Sequence, residues 1–265
     1  MGADRLRHMF ASARADGRTA FLPFMTAGLP DPSGSPALYR AMAEAGADAF
    51  EVGIPYSDPL MDGPVIQRGS DLALAAGTNL DVSFEVIRTV ADRSPALAMT
   101  YANPVFRRGV EWFAQRLSGV GADGIIVPDL PVEESADLRR AASRHDLGTV
   151  LFVAPTSSRA RIEAVAAAEP IFIYAVAEVG VTGERTEPSR RAEGLVKAIR
   201  DVTDIPIVMG VGISTPAHAL AAAEAGADGV IVGSALVRVV LESPDAESAA
   251  YALAARVREF RAVLG

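Results

Sequence analysis

Three carboxylates crowd one short stretch, Phe50–Pro64, FEVGIPYSDPLMDGP, which contains no basic residue. Its first half is apolar enough for a strand, and its second half, punctuated by Pro55, Pro59 and Pro64, reads as a loop. Side chains alternate across a strand, so Phe50, Val52 and Ile54 share one face while Ala49, Glu51 and Gly53 share the other. The bulky face belongs against covering helices, which aims Glu51 inward. A carboxyl group there is desolvated, its charged form is disfavoured, and it can exchange protons near neutral pH. The competing explanation, an acid paired with a buried cation, finds no lysine or arginine in any apolar run of the chain. Asp58 alone fits a turn-capping role. Asp62 can reach over a pocket opposite Glu51, and two carboxyl groups in different surroundings can divide acid and base roles. Pro64 suits the first position of a helix over PVIQRGSDLAL.

A second chemistry is written in glycine. GVTG (Gly180–Gly183), GVGIS (Gly210–Ser214) and GS (Gly233–Ser234), which opens a helical ALVRVV, follow the sixth, seventh and eighth apolar runs. Glycines let backbone N–H groups approach an anion, and a helix N-terminus adds donors and a favourable dipole. Neither a P-loop nor a strand-linked GxGxxG is present, so a phosphosugar is favoured over a nucleotide. The polar stretch from Ala177 to Pro188 is long for a strand-to-helix connection and reads as a lid.

The elements that must hold these groups follow from periodicity. Eight apolar runs begin near Ala20, Asp48, Leu97, Gly124, Gly148, Ile171, Pro206 and Gly229. Alanine-rich stretches with helical spacing separate them, among them Pro36–Ala45, Ser83–Ala91, Ser135–Arg144, Arg159–Ala168, Ala192–Asp201 and Pro216–Ala225. An extra helix precedes the first run (Asp4–Ala15), and another closes the chain (Glu247–Val263). Eight strand–helix units without a linker predict one (β/α)₈ TIM barrel over residues 1–265, with a short phosphate-binding helix after strand eight. A doubly wound open sheet is the alternative. In that barrel the carboxyl ends of the strands carry the chemistry, and loops after strands seven and eight bind phosphate. The echo AGAD, VGAD, AGAD at Ala45–Asp48, Val120–Asp123 and Ala225–Asp228 marks the opposite face, with glycine at each helix end.

Composition excludes much else. The chain has 265 residues, no cysteine and a net charge of −8. Disulfides, thiolate catalysis and cysteine metal sites are ruled out, and nucleic acid or an anionic membrane is an unexpected partner. His8, His145 and His218 lie far apart on expected helices, so no metal site is expected. The N-terminal MGADRLRHMF lacks an apolar signal region and no long apolar span exists, so a soluble cytoplasmic protein is expected.

FLPFMTAGLPD, FEVGIPYSDPLMDGPVIQ, TYANPVF, PDLPVEES, GVTG, GVGIS and VIVGSALV occur in this order between Phe21 and Val237. Together they resemble the tryptophan synthase α subunit family. The resemblance implies a retro-aldol cleavage of indole-3-glycerol phosphate to indole and glyceraldehyde 3-phosphate, with no metal or organic cofactor on this chain. It implies Glu51 and Asp62 as catalytic residues. It also implies Phe21, Ile66, Tyr101 and Tyr174 around the substrate, and Gly183, Gly212, Gly233 and Ser234 at the phosphate. The family works with a pyridoxal-phosphate β subunit in an αββα complex, and Pro55, Asp58, Asn103 and Pro131 match positions facing that partner. Two departures stand out. Ala177, Glu178 and Val179 replace the hydroxyl residues usual before GVTG, and Val211 stands where a larger side chain often meets the indole. The alternatives are a stand-alone lyase releasing free indole, a non-catalytic phosphosugar-binding partner, and another phosphosugar enzyme. A Schiff-base aldolase would need a strand-end lysine, and Lys197, the only lysine, falls in an expected helix.

Overall fold

The structure, a computed structural model, describes residues 2–176 and 187–265, and all side chains of these except those of 187–191. Eight short strands close into a parallel barrel in sequence order: β1 (Ala20–Thr26), β2 (Phe50–Gly53), β3 (Ala96–Met99), β4 (Gly124–Ile126), β5 (Gly148–Val153), β6 (Phe172–Ala175), β7 (Ile207–Met209) and β8 (Gly229–Val232). They are apolar and, apart from partial exposure in β5, buried, as expected of strands covered on both faces. The surrounding helices are α1 (Gly2–Ala15), α2 (Ser35–Glu44), α3 (Pro64–Ala75), α4 (Leu80–Ala91), α5 (Ala102–Arg108), α6 (Val110–Gly119), α7 (Ala136–Arg144), α8 (Arg159–Ala167), α9 (Glu187–Arg200), α10 (Pro216–Glu224), α11 (Ser234–Glu242) and α12 (Ala246–Arg261). The predicted barrel, leading helix and short helix after strand eight are all present, and Pro64 opens α3. Helix α5 is not among the helices expected from sequence, and it begins three residues after β3 ends. Pro104 is the third residue of α5, where a missing N–H costs nothing because first-turn donors have no intrahelical acceptor.

Strand register sorts inside from outside. Paired residues on neighbouring parallel strands point the same way, and Phe24, Glu51, Leu97 and Gly124 are linked through successive pairs. Farther round, Val150 pairs with Phe172 and Phe152 with Tyr174, all on the inner face. Outside, Phe50 meets Tyr39 of α2 edge-on at 5.5 Å. At the bottom, Phe10 of α1 reaches the inward ring of Phe172 at 5.8 Å, so the extra helix plugs the barrel's amino-terminal end.

The repeated turns do structural work at that same end. Gly46, Gly121 and Gly226 all have positive φ, at +108°, +80° and +95°, which a side chain would strain. The acid two residues later then clamps the start of the preceding strand. Asp48 Oδ2 accepts from Phe21 N–H at 2.8 Å, Asp123 Oδ2 from Ala96 N–H at 2.8 Å, and Asp228 Oδ2 from Ile207 N–H at 2.8 Å. Arginines answer the charges: Arg18 and Arg261 at Asp48, Arg14 and Arg200 at Asp228, and Arg5 at Asp123. Replacing Asp228 with Ala leaves a strand N–H unpaired and removes the acid that both arginines share. We expect a loss of about 2–3 kcal/mol in urea unfolding, and a smaller one for Asp228→Asn, whose side-chain oxygen can still accept the Ile207 N–H.

Candidate active site

Glu51 is the only acid or base in the eight strands. It is buried at the inner face of β2. Burial first, and the nearby Asp62 charge second, raise its pKa to about 8. Among the described residues no cation offsets these effects, so the carboxyl holds a proton at neutral pH. Its neighbour Gly53 is a glycine for steric reasons, since a Cβ there would lie 2.6 Å from the Phe24 ring.

Asp62 sits half-buried on the loop between β2 and α3, tied by its own N–H to Pro59 O at 3.0 Å. Gln67 Nε2 donates to Asp62 O at 2.7 Å, closing the loop onto α3. Burial raises the Asp62 pKa to about 6, and a hydrogen bond from the Tyr101 hydroxyl works against that rise. The same hydroxyl accepts from Met61 N–H at 3.2 Å, so Tyr101 fixes both the loop and its acid. Tyr101 in turn stacks on Tyr56 at 5.4 Å, and Asn103 Nδ2 donates to the Tyr56 hydroxyl at 2.8 Å. Asn103, Tyr56, Tyr101 and Asp62 therefore form one connected chain from the exposed rim to the acid.

Tyr174 points into the same space. Its hydroxyl pKa is raised by burial first, then by the charges of Glu51 and Asp62. Phe152 stacks on it at 5.0 Å. Gly210 makes room for it, because a Cβ at Gly210 would fall 1.9 Å from the Tyr174 hydroxyl. The sequence reading counted Gly210 only within a phosphate loop, and this contact gives it a second reason to be glycine.

One expected pocket residue lies elsewhere. Phe21 is on the outer face of β1, stacked at 5.6 Å on Phe260 of α12, and its N–H is bound by Asp48 at the bottom of the barrel. Phe24, three residues on and in register with Glu51, takes the inward place. Phe24 and Ile66 both approach Gly233, where a Cβ would lie 3.4 Å from each side chain. Gly233 caps α11, Ser234 is the exposed first residue of that helix, and Gly212 holds φ +80° in the loop after β7. Val211 beside it is 40% exposed. Gly183 and the expected lid, with Ala177, Glu178 and Val179, lie outside the described residues. Of the four expected partner-facing residues, Asp58, Asn103 and Pro131 are exposed. Pro55 is buried, so it supports the loop from beneath. Leu60, Met61 and Phe106 leave apolar surface on this rim. Among the described residues, no cluster of three or more Asp, Glu or His side chains is arranged to hold a metal ion.

A family model described as tryptophan synthase alpha chain matches residues 10–264. The tryptophan synthase alpha chain of Streptomyces avermitilis is 45% identical over 246 residues, covering 91% of this chain and 87% of that relative. The one from Arabidopsis thaliana is 40% identical over 244 residues, covering 91% and 89%. A crystal structure of tryptophan synthase from M. tuberculosis superposes with a TM-score of 0.88 at 37% identity, covering 98% of each chain. Tryptophan synthase subunit alpha from Legionella pneumophila gives 0.89 at 31% identity, again covering 98% of each.

Two outcomes follow from this geometry. The folded chain binds the Glu51 proton more tightly than the unfolded chain, whose glutamate has its ordinary value of 4.5. Stability is therefore lost as pH rises from about 4.5 through about 8, by a few kcal/mol at most. Glu51→Gln should melt higher than the parent at pH 9, with the gap closing by pH 4, in thermal scans. Gly210→Ala must push Tyr174 aside, and its cleavage activity should fall at least about tenfold with the far-ultraviolet circular dichroism unchanged.

Proposed function

This chain belongs to the tryptophan synthase alpha chain family, a lyase that cleaves indole-3-glycerol phosphate to indole and glyceraldehyde 3-phosphate, and from that membership we propose how its residues divide the work. The observation that carries the proposal is a protonated Glu51, without a cation beside it among the described residues, close to an ionisable Asp62. Glu51 delivers its proton to indole C3, which makes the ring an indolenine with positive charge at nitrogen. Asp62, as carboxylate, accepts the hydrogen bond from that N–H and stabilises the charge. The Glu51 carboxylate then takes the proton from the glycerol hydroxyl next to C3. The carbon–carbon bond breaks as the new carbonyl forms, its electrons return to the ring nitrogen, and Glu51 ends protonated as it began. Tyr101 holds Asp62 and its loop, Tyr174 borders both acids, and Phe24, Ile66 and Phe152 wall the indole. Gly212, Gly233 and Ser234, with Gly183, offer backbone donors to the phosphate, helped by the α11 N-terminus.

The partner in this reading is a tryptophan synthase β subunit, in an αββα complex with pyridoxal phosphate on β. The support is the rim: exposed Asp58, Asn103 and Pro131 lie with apolar Leu60, Met61 and Phe106, and Asn103 is bonded through Tyr56 and Tyr101 to Asp62. A β subunit docking here would press on a chain of contacts that ends at the reacting acid.

Indole release by the purified chain, alone and with a β subunit from the same source, tests this. Glu51→Gln and Asp62→Asn should each lose about 10²-fold or more. The β subunit should raise the parent's rate strongly, and a fast rate indifferent to β would sink the partnership. Activity needs Asp62 ionised and Glu51 protonated, so kcat/KM should be bell-shaped, falling below about pH 6 and above about pH 8. The two limbs belong to the pair as a unit.

A further inference from the structure

The loop after β7 has no stiffness of its own. Gly210 and Gly212 flank Val211, and Gly212 sits at φ +80°, a conformation glycine enters and leaves freely. Donors that must meet a phosphate cannot wander, so something outside the loop has to hold it. Two side chains do so. Arg256 of α12, 42 residues away in sequence, places Nη2 at 3.0 Å from Ser214 O. Its guanidinium lies 4.9 Å over the Phe260 ring and bonds Glu259, so it is aimed before any ligand arrives. From the other side, His218 of α10 sets Nδ1 at 3.2 Å from Gly212 O, 3.3 Å from Ser214 Oγ and 3.4 Å from Ser214 N. Either tautomer engages the loop: with a free Nδ1 it accepts from Ser214, and with Nδ1–H it donates to Gly212 O. A carbonyl held in place fixes its whole peptide plane, including the N–H that follows it.

The geometry points to His218 and Arg256 as positioning residues that clamp the Gly212–Ser214 loop from behind and so set affinity for the phosphate end of the substrate. Neither side chain needs to touch the phosphate. This inference rests on the phosphate site proposed above. It also explains why the stack Phe21–Phe260 belongs to the function without lining the pocket: it seats the ring over which Arg256 lies.

The test is steady-state cleavage by the full chain with its β subunit, using inorganic phosphate and indole as separate competitive probes. Arg256→Gln should raise KM and the phosphate inhibition constant about three- to tenfold, with kcat within about twofold and the indole constant unmoved. His218→Ala should act in the same direction with a smaller factor. Arg256→Lys, which keeps a cationic donor, should recover part of the loss. Melting curves for each variant separate a local change from unfolding. Equal weakening of phosphate and indole, or no change in either, would overturn the clamp. Ser234→Asp, which sets a negative charge at the α11 N-terminus, serves as the reference. If it leaves phosphate inhibition intact, the phosphate-site reading itself fails, and the clamp with it. If it abolishes phosphate inhibition while Arg256→Gln and His218→Ala do not weaken it, the clamp alone fails.

Discussion

A glutamic acid buried in an apolar barrel, with no cation among the described residues to hold its charge, is the constraint on which the rest of the site depends. Water would keep that carboxyl ionised, and a buried arginine would do the same more firmly. The strands supply neither: they contain no lysine or arginine, and their inner faces are filled by Phe24, Leu97, Val150, Phe172 and similar side chains. Among the described residues the charge that acts on it is another acid, Asp62, which pushes the Glu51 proton affinity higher still. The barrel wall makes Glu51 an acid at neutral pH, and the loop acid beside it stays ionisable because Tyr101 donates to it. The cost is a desolvated carboxyl group in the core, which is tolerated where the chemistry needs it; the strands bury no other carboxyl group.

The two ends of the barrel use carboxylates in opposite ways. At the amino-terminal end Asp48 and Asp228 each receive a backbone N–H and two arginines, and their work is to hold strand starts together. Asp123 is built on the same pattern but has one arginine and full burial, and its pKa rises to about 6. At the carboxyl-terminal end neither Glu51 nor Asp62 has an arginine among the described residues. The same residue type is thus structural or reactive according to whether cations are placed beside it. The motif AGAD announces the first use and EVGIP the second, and they are separated by only a few residues at Asp48 and Glu51.

Much of this was legible in sequence because periodicity and punctuation carry it. Eight apolar runs separated by helical spacing gave the barrel, and alternation within AFEVGI put Glu51 inside. Phe21 shows where that logic needs a partner strand. Two phenylalanines three residues apart must lie on opposite faces, but the β1 sequence alone, AFLPFMT, is apolar on both and cannot say which faces inward. Register with Glu51 decides it in favour of Phe24. Gly210 was missed for a related reason: its glycine is dictated by a tyrosine hydroxyl one strand away. The family resemblance implies that Pro55 faces the partner, and no local signal in the sequence shows that it is buried.

Long-range contacts also decide how the two halves of the site are held at one distance. The acids belong to β2 and the loop after it, and the proposed phosphate donors to the loops after β7 and β8, so they lie on different arcs of the barrel mouth. Gly233 joins them. Phe24 and Ile66 each lie 3.4 Å from where its Cβ would be, room for a methyl group at most, so the apolar wall beside Glu51 packs close to the start of α11. A residue larger than alanine there would push the helix N-terminus and the aromatic wall apart, and in the proposed binding mode a substrate held at its phosphate would no longer present its ring carbon to Glu51. Since a misplacement of about 1 Å can cost about 10²-fold in rate, a glycine that touches no reacting atom can matter as much as the acids themselves.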